Sequence, residues 1–166
     1  INMNIYKVPD HQNHKQKLLD LIASIPKTSL REYGKVDKIS HTDWSLTGKQ
    51  EYWKYFTNNI LKSFGNYLCN TFKSNSFKIT NGWFQQYQRH DTHGWHIHDN
   101  VLYSCVYYLE MPINAMRTEF KNPKSGKIET FKVKEGDILT FNSKIQHRSK
   151  SFKNNKRKTV IAFNIK

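Results

Sequence analysis

The chain has 166 residues, enough for one domain with a proper core, and 37% of them are hydrophobic and 14% aromatic. A mean hydropathy of −0.79, and no run near the ~18 apolar residues of a bilayer span, argue against a membrane-spanning protein. The aromatic content excludes a disordered chain, and 7 glycines and 4 prolines are too few for low-complexity or collagen-like sequence.

Lys and Arg number 27 against 13 Asp and Glu, for a net charge of +14. Such an excess favours polyanions or acidic partners. Of those bases 22 are lysine, the enrichment that an AT-rich genome produces by itself, whereas arginine, the usual reader of bases and phosphates, is scarce. Residues 1–10 lack the basic-then-apolar pattern of a secretory signal. Cys69 and Cys105 sit far apart in apolar surroundings and read as buried reduced thiols. Both observations point to the cytoplasm.

Residues 4–8 alternate as a short strand that Pro9 and Asp10 end. Residues 11–25 read as a helix, with Leu18, Leu19, Ile22 and Ile25 at spacings of three and four, and Pro26 stops it. Residues 28–42 have no period and read as loop. Thr42 or Thr47 is placed to cap the next element, a helix over 49–72. Its Tyr52, Phe56, Ile60, Phe64, Leu68 and Phe72 repeat every four residues beneath a lysine-rich back, with Gly65 as the expected kink. After Asn75 the period changes to two. Residues 77–80, 83–89, 101–110, 117–120, 127–133, 137–141 and 158–165 read as strands, with turn chemistry at Asn81-Gly82, Pro123 to Gly126 and Glu135-Gly136. Helices followed by a run of antiparallel strands imply an α+β fold in which a sandwich or barrel packs on helices.

Of eight histidines, His90, His93, His96 and His98 cluster in one segment, His147 lies in the penultimate connection, and His11, His14 and His41 read as solvent-facing. In an extended chain alternate side chains share a face, so His96 and His98 can reach one metal. His147, after the strand Asp137 to Phe141, can supply a third ligand, leaving open positions of the kind non-haem iron uses. Trp83 and Trp95 flank this region as core or barrel-rim residues.

The order His96-Ile97-His98, Ser104-Cys105-Val106-Tyr107-Tyr108-Leu109, Phe120, Pro123, Gly136-Asp137-Ile138-Leu139-Thr140-Phe141-Asn142-Ser143, His147 and Ile161-Ala162-Phe163-Asn164 resembles the iron(II)/2-oxoglutarate-dependent oxygenases of the prolyl-hydroxylase-like type. It is nearest to a branch common in bacteria and phages that carries His-x-His. The similarity runs from Trp83 to Asn164, with a weaker echo in Thr42-Asp43-Trp44. It implies a double-stranded β-helix (a cupin-like jelly roll) flanked by N-terminal helices, in one domain over 1–166. Residues 1–75 are then mainly helical support and 76–166 the jelly-roll core.

The resemblance also implies Fe(II) held by His96, His98 and His147, with 2-oxoglutarate and O2 as co-substrates. The usual carboxylate ligand is replaced by His98, and Asp99 is the competing third ligand. Tyr87 and Tyr108 match tyrosines near the co-substrate. Arg157 (with Thr159) and Lys158 compete to bind its distal carboxylate. The implied reaction is hydroxylation, with succinate and CO2 as co-products, in the host cytoplasm if the gene is a phage's. Its substrate is a prolyl residue of a peptide or protein, a nucleic acid or a small molecule. Two rival readings stand beside it: a three-histidine cupin-like dioxygenase without 2-oxoglutarate, and a non-catalytic basic β-sandwich that binds nucleic acid.

Overall fold

The computed structural model describes residues 2–28, 30–31 (by backbone alone), 37–46, 50–151 and 153–166. The chain opens with strand β1 (Asn4–Lys7), helix α1 (His11–Ala23) and the short strands β2 (Leu30–Arg31), β3 (Lys38–Ile39) and β4 (His41–Thr42). Helix α2 (Glu51–Phe56) passes through a π-helical turn (Thr57–Leu61) into α3 (Lys62–Phe72). Strands β5 (Ile79–Tyr87), β6 (His93–His96), β7 (Tyr103–Glu110), β8 (Glu119–Lys121), β9 (Ile128–Thr130), β10 (Asp137–Asn142), β11 (His147–Ser149) and β12 (Lys158–Ile165) complete the order. No helix of the described residues is long and apolar enough to cross a membrane.

The strands form a six-stranded sheet, β1-β10-β7-β12-β5-β4, and a four-stranded sheet, β6-β11-β8-β9, with β2-β3 as a separate pair. Every pairing is antiparallel. The alternation of side chains along a strand gives the large sheet two different faces. One face sends Phe84, Cys105, Tyr107, Leu109, Ile138, Ile161 and Phe163 against Leu18, Leu19 and Ile22 of α1 and Tyr52, Phe56, Phe64 and Leu68 of the second helical stretch. The predicted four-residue stripe is thus the face that covers the sheet. The other face sends Tyr87, Tyr108, Leu139, Phe141 and Val160 toward Phe120 of the small sheet. The cavity described below lies between the two sheets.

Several expectations change. The second helix is irregular at Thr57–Leu61 rather than at Gly65. Its first described turn follows Gln50, while Thr42 lies in β4 and Thr47 and Lys49 fall outside the described residues. Asn81-Gly82 is not a turn, because β5 runs straight through it and pairs with β12. Gly82 serves close packing there: a Cβ on it would come within 2.2 Å of the Trp53 ring. Part of the expected loop over 28–42 pairs as β2, β3 and β4. Gly126 and Gly136 do occupy turns, at φ +70° and +93°, where a side chain would be strained. Cys105 is buried as expected and Cys69 only half-buried; both are free thiols.

Candidate metal centre

Strands β6 and β11 were not expected as strands, and they build the site. Their antiparallel register sets His96 directly opposite His147. His98 lies two residues beyond β6 in an extended tail, held where its backbone N–H donates to the Ser143 carbonyl at 3.0 Å. The three imidazoles converge, each with a nitrogen within 4.8 Å of the others. Ring centroids are 4.1 Å apart for His96 and His147 and 5.1 Å for each pair that includes His98.

The hydrogen bonds behind two of these rings fix which nitrogen faces inward. His96 Nδ1 lies 2.7 Å from the Gly94 carbonyl and His147 Nδ1 2.9 Å from the Ile145 carbonyl. A carbonyl can only accept, so each Nδ1 carries the proton and each Nε2 keeps its lone pair for a metal. Burial is the largest influence on all three rings and moves each below the ordinary imidazole value. For His98, pushed down to about 4, and for His147, the neighbouring imidazoles push further in the same direction. All three are therefore neutral at pH 7, the form that ligates. Three neutral imidazoles, with no fourth donor grouped with them among the described residues, suit a borderline divalent metal and leave coordination positions for other ligands. Asp99 turns away: it is exposed and its carboxylate pairs with Lys144 at 2.6 Å, which holds it below the usual carboxylate range.

The same cavity reaches Trp83, Gln85, Tyr87, Thr118, Lys158 and Asn164. Lys158 is 2% exposed, and its Nζ donates to the Met116 carbonyl at 2.8 Å. That Nζ lies 5.7 Å from the Tyr87 ring centre and 5.6 Å from that of Tyr108. Among the described residues no carboxylate pairs with it, and burial lowers its pKa to about 8. The Tyr108 hydroxyl bonds Thr118 at 2.9 Å and the Tyr87 hydroxyl donates to Gln85 at 2.8 Å. Arg157 and Thr159 face the other way. Arg157 forks onto the Glu110 carboxylate at 2.8 and 3.3 Å, and Thr159 donates to the same carboxylate at 2.9 Å. The two candidate cations are thus separated by strand alternation, and only Lys158 reaches the cavity.

No family model matches the chain, and no curated protein matches it by sequence. Solved structures do match its fold. An oxidoreductase of the 2OG-Fe(II) oxygenase family from Burkholderia pseudomallei superposes with a TM-score of 0.76 at 11% identity, over 98% of this chain and 84% of that one. A Pseudomonas putida prolyl-4-hydroxylase does so at 0.68 and 10%, over 99% and 91%. HygX from Streptomyces hygroscopicus, solved with nickel and 2-oxoglutarate bound, does so at 0.67 and 8%, over 98% and 82%. The chain has the fold of these enzymes, the jelly roll that the sequence resemblance implied.

Other histidines depart from expectation. His11 is buried between the Tyr107 hydroxyl and Glu135, and His41 between Gln86 and the Pro26 carbonyl. His14 is half-buried on Tyr55. All three are held by partners within the fold rather than facing solvent. Asp43, in the Thr42-Asp43-Trp44 echo, is likewise structural: it accepts from the Phe84 backbone N–H at 2.9 Å and the Tyr52 hydroxyl at 2.6 Å. Sequence reasoning gave no role to His93, whose ring stacks on His96 at 3.8 Å, nor to Gln85 and Thr118. Gln85 was within reach, because two residues before Tyr87 on a strand is the same face. Trp83 is buried as a barrel-wall residue, whereas Trp95 is 37% exposed under the Arg148 guanidinium.

Proposed function

We propose that the protein is an Fe(II)- and 2-oxoglutarate-dependent oxygenase that hydroxylates its substrate with succinate and CO2 as co-products. The observation that carries this reading is the pairing, in one cavity, of three neutral imidazoles with a buried ammonium that has no carboxylate partner among the described residues. A buried charge without a counter-ion is costly. Its presence makes sense when a ligand supplies the anion, and 2-oxoglutarate presents a carboxylate at one end and a metal-chelating oxo-acid at the other.

His96, His98 and His147 would hold the iron, which supplies the oxygen chemistry when bound. The backbone carbonyls of Gly94 and Ile145 orient two of these rings. Lys158 receives the distal carboxylate as a point charge, and the Tyr108 hydroxyl, now on Thr118, offers a second donor there. Phe141 and Val160 line the cavity with apolar surface. A peptidyl proline is the first substrate class to test, in line with the prolyl-4-hydroxylase among the structural neighbours. The lysine also weighs against a three-histidine dioxygenase that needs no dicarboxylate, and the convergence of three imidazoles between the sheets weighs against a simple nucleic-acid-binding sandwich.

The test is an anaerobic titration of the Fe(II)-loaded protein with 2-oxoglutarate, watched for the weak visible charge-transfer band of the chelate. The band should grow to saturation at one equivalent per chain. Iron binding without a band would return the protein to the three-histidine class. No iron binding at all would leave the binding-module reading.

A further inference from the structure

Trp83 carries a feature that the proposed chemistry does not use. Its indole Nε1–H is buried and has no hydrogen-bond acceptor among the described residues, although the residue is only 5% exposed. Buried polar groups are nearly always paired, and an exception calls for a physical account. The indole lines the metal cavity, on the same strand face as Gln85 and Tyr87. Its ring lies 5.8 Å from that of His98. Among the described residues His98 is the ligand candidate of the three whose ring has no hydrogen bond to hold it, since His96 and His147 are each locked on a carbonyl. The unpaired donor and the unlocked imidazole are therefore neighbours.

The position along the sheet narrows the acceptor. Trp83 pairs with Ala162 on β12, four residues from Lys158, which is about 13 Å along the strand. Lys158 and Trp83 thus stand toward opposite ends of the cavity with the imidazoles near the Trp83 end. A ligand whose distal carboxylate meets Lys158 brings its other end toward that donor. Inside the cavity the acceptor must be an oxygen, because the neighbouring imidazoles spend their lone pairs on the metal and their remaining nitrogens are donors.

We propose that the Trp83 indole N–H is a ligand-binding donor that hydrogen-bonds an oxygen held at the metal beside His98. This rests on the metal and co-substrate reading above. Two sources present the same chemistry: a water on the metal, or the oxo-acid end of 2-oxoglutarate. Within the protein the competing partner is the Trp44 ring, which lies perpendicular to that of Trp83 at 4.5 Å and 83°; an N–H on an aromatic face is a weaker contact than an N–H on oxygen.

The experiment follows the four indole N–H signals of 15N-tryptophan-labelled protein by NMR, with Zn(II) as a diamagnetic metal. The Trp83 signal is identified as the one lost in Trp83→Phe. Should that variant fail to fold, it is identified by elimination with Trp44→Phe, Trp53→Phe and Trp95→Phe. The signal should move downfield on adding Zn(II) alone if the acceptor is metal-bound water, or only when 2-oxoglutarate follows if it is the co-substrate.

In the second case Trp83→Phe should weaken 2-oxoglutarate binding to the Zn(II) protein about tenfold by calorimetry, the size of one charge-assisted hydrogen bond. A signal that stays still while 2-oxoglutarate demonstrably binds would overturn this inference and leave the proposed function intact, as would one that responds to Trp44→Leu alone. If calorimetry detects metal but no 2-oxoglutarate binding, the proposed function fails. The inference then stands or falls on the Zn(II) arm alone.

Discussion

The two faces of the six-stranded sheet are made by the same strands and do opposite work. On β12, Ile161 and Phe163 turn to the helices while Lys158, Val160, Ala162 and Asn164 turn to the cavity. On β7, Cys105, Tyr107 and Leu109 join the helix-side core while Ser104 and Val106 line the cavity beside Tyr108. The helix side is closed by aromatic packing, with Phe56 stacked on Tyr107 at 5.5 Å and edge-on to Phe163 at 5.7 Å. The cavity side tolerates a buried lysine and an unpaired indole N–H. Stability therefore comes mainly from one face, and the other carries energetically costly groups that ligands can satisfy.

The sharpest way to break that comparison is to substitute the two faces separately. His96→Ala and His147→Ala should each abolish binding of one Fe(II) or Mn(II) per chain, with the circular dichroism spectrum unchanged; undiminished metal stoichiometry in both would contradict the site. Phe56→Ala on the helix side should do the reverse. It should cost about 3–5 kcal/mol of stability in urea unfolding, while the protein that remains folded keeps its metal affinity.

A finer test sets neighbours on one strand against each other. Lys158→Met should weaken 2-oxoglutarate roughly ten- to a hundred-fold and yet leave the unliganded protein as stable or more so, because a buried unpaired charge is removed. Arg157→Ala, one residue away, should leave 2-oxoglutarate affinity nearly unchanged, since its guanidinium is committed to Glu110 on the surface. Equal losses would mean that the faces are not separate.

The pH dependence follows from the same lysine. Burial lowers its pKa to about 8 in the free protein, and a bound carboxylate would raise it. Above pH 8 binding must therefore take up a proton, and affinity should fall about tenfold per pH unit until the bound-state value is reached. The unliganded fold gains stability over the window from about 8 up to the ordinary lysine value, where the unfolded chain holds the extra proton. Calorimetry in buffers of different ionisation enthalpy measures the uptake, and Lys158→Arg should flatten the profile. The smallest effect belongs to Asp99→Ala, which should change metal affinity far less than His98→Ala, because its carboxylate faces Lys144 in solvent.

Much of the helix-facing side was legible because an amphipathic stripe is local: Tyr52, Phe56, Phe64 and Leu68 declare their face by spacing alone. The π-helical turn at Thr57–Leu61 was not, and nothing in its own sequence marks it. Strands β6 and β11 escaped because they are short and polar, and antiparallel partners far along the chain define them. His11 and His41 were misjudged for a similar reason: what buries them, Tyr107 with Glu135 and Gln86 with the Pro26 carbonyl, is distant in sequence. His96, His98 and His147 were legible from motif order. Which of Arg157 and Lys158 reaches the cavity was not, because β12 is buried on both faces and its alternation carries little polarity signal. The parity of Ile161 and Phe163 decides it only once the helices are known to cover that side.

The central claim is that the cavity face needs metal and lysine together to hold one ligand. Calorimetric titration of 2-oxoglutarate into three anaerobic samples tests it most directly: Fe(II)-loaded protein, metal-free protein and Fe(II)-loaded Lys158→Met. Saturable binding at one equivalent per chain is expected in the first, with binding at least tenfold weaker in the other two. Equal affinity in all three, or none in the first, would contradict the account.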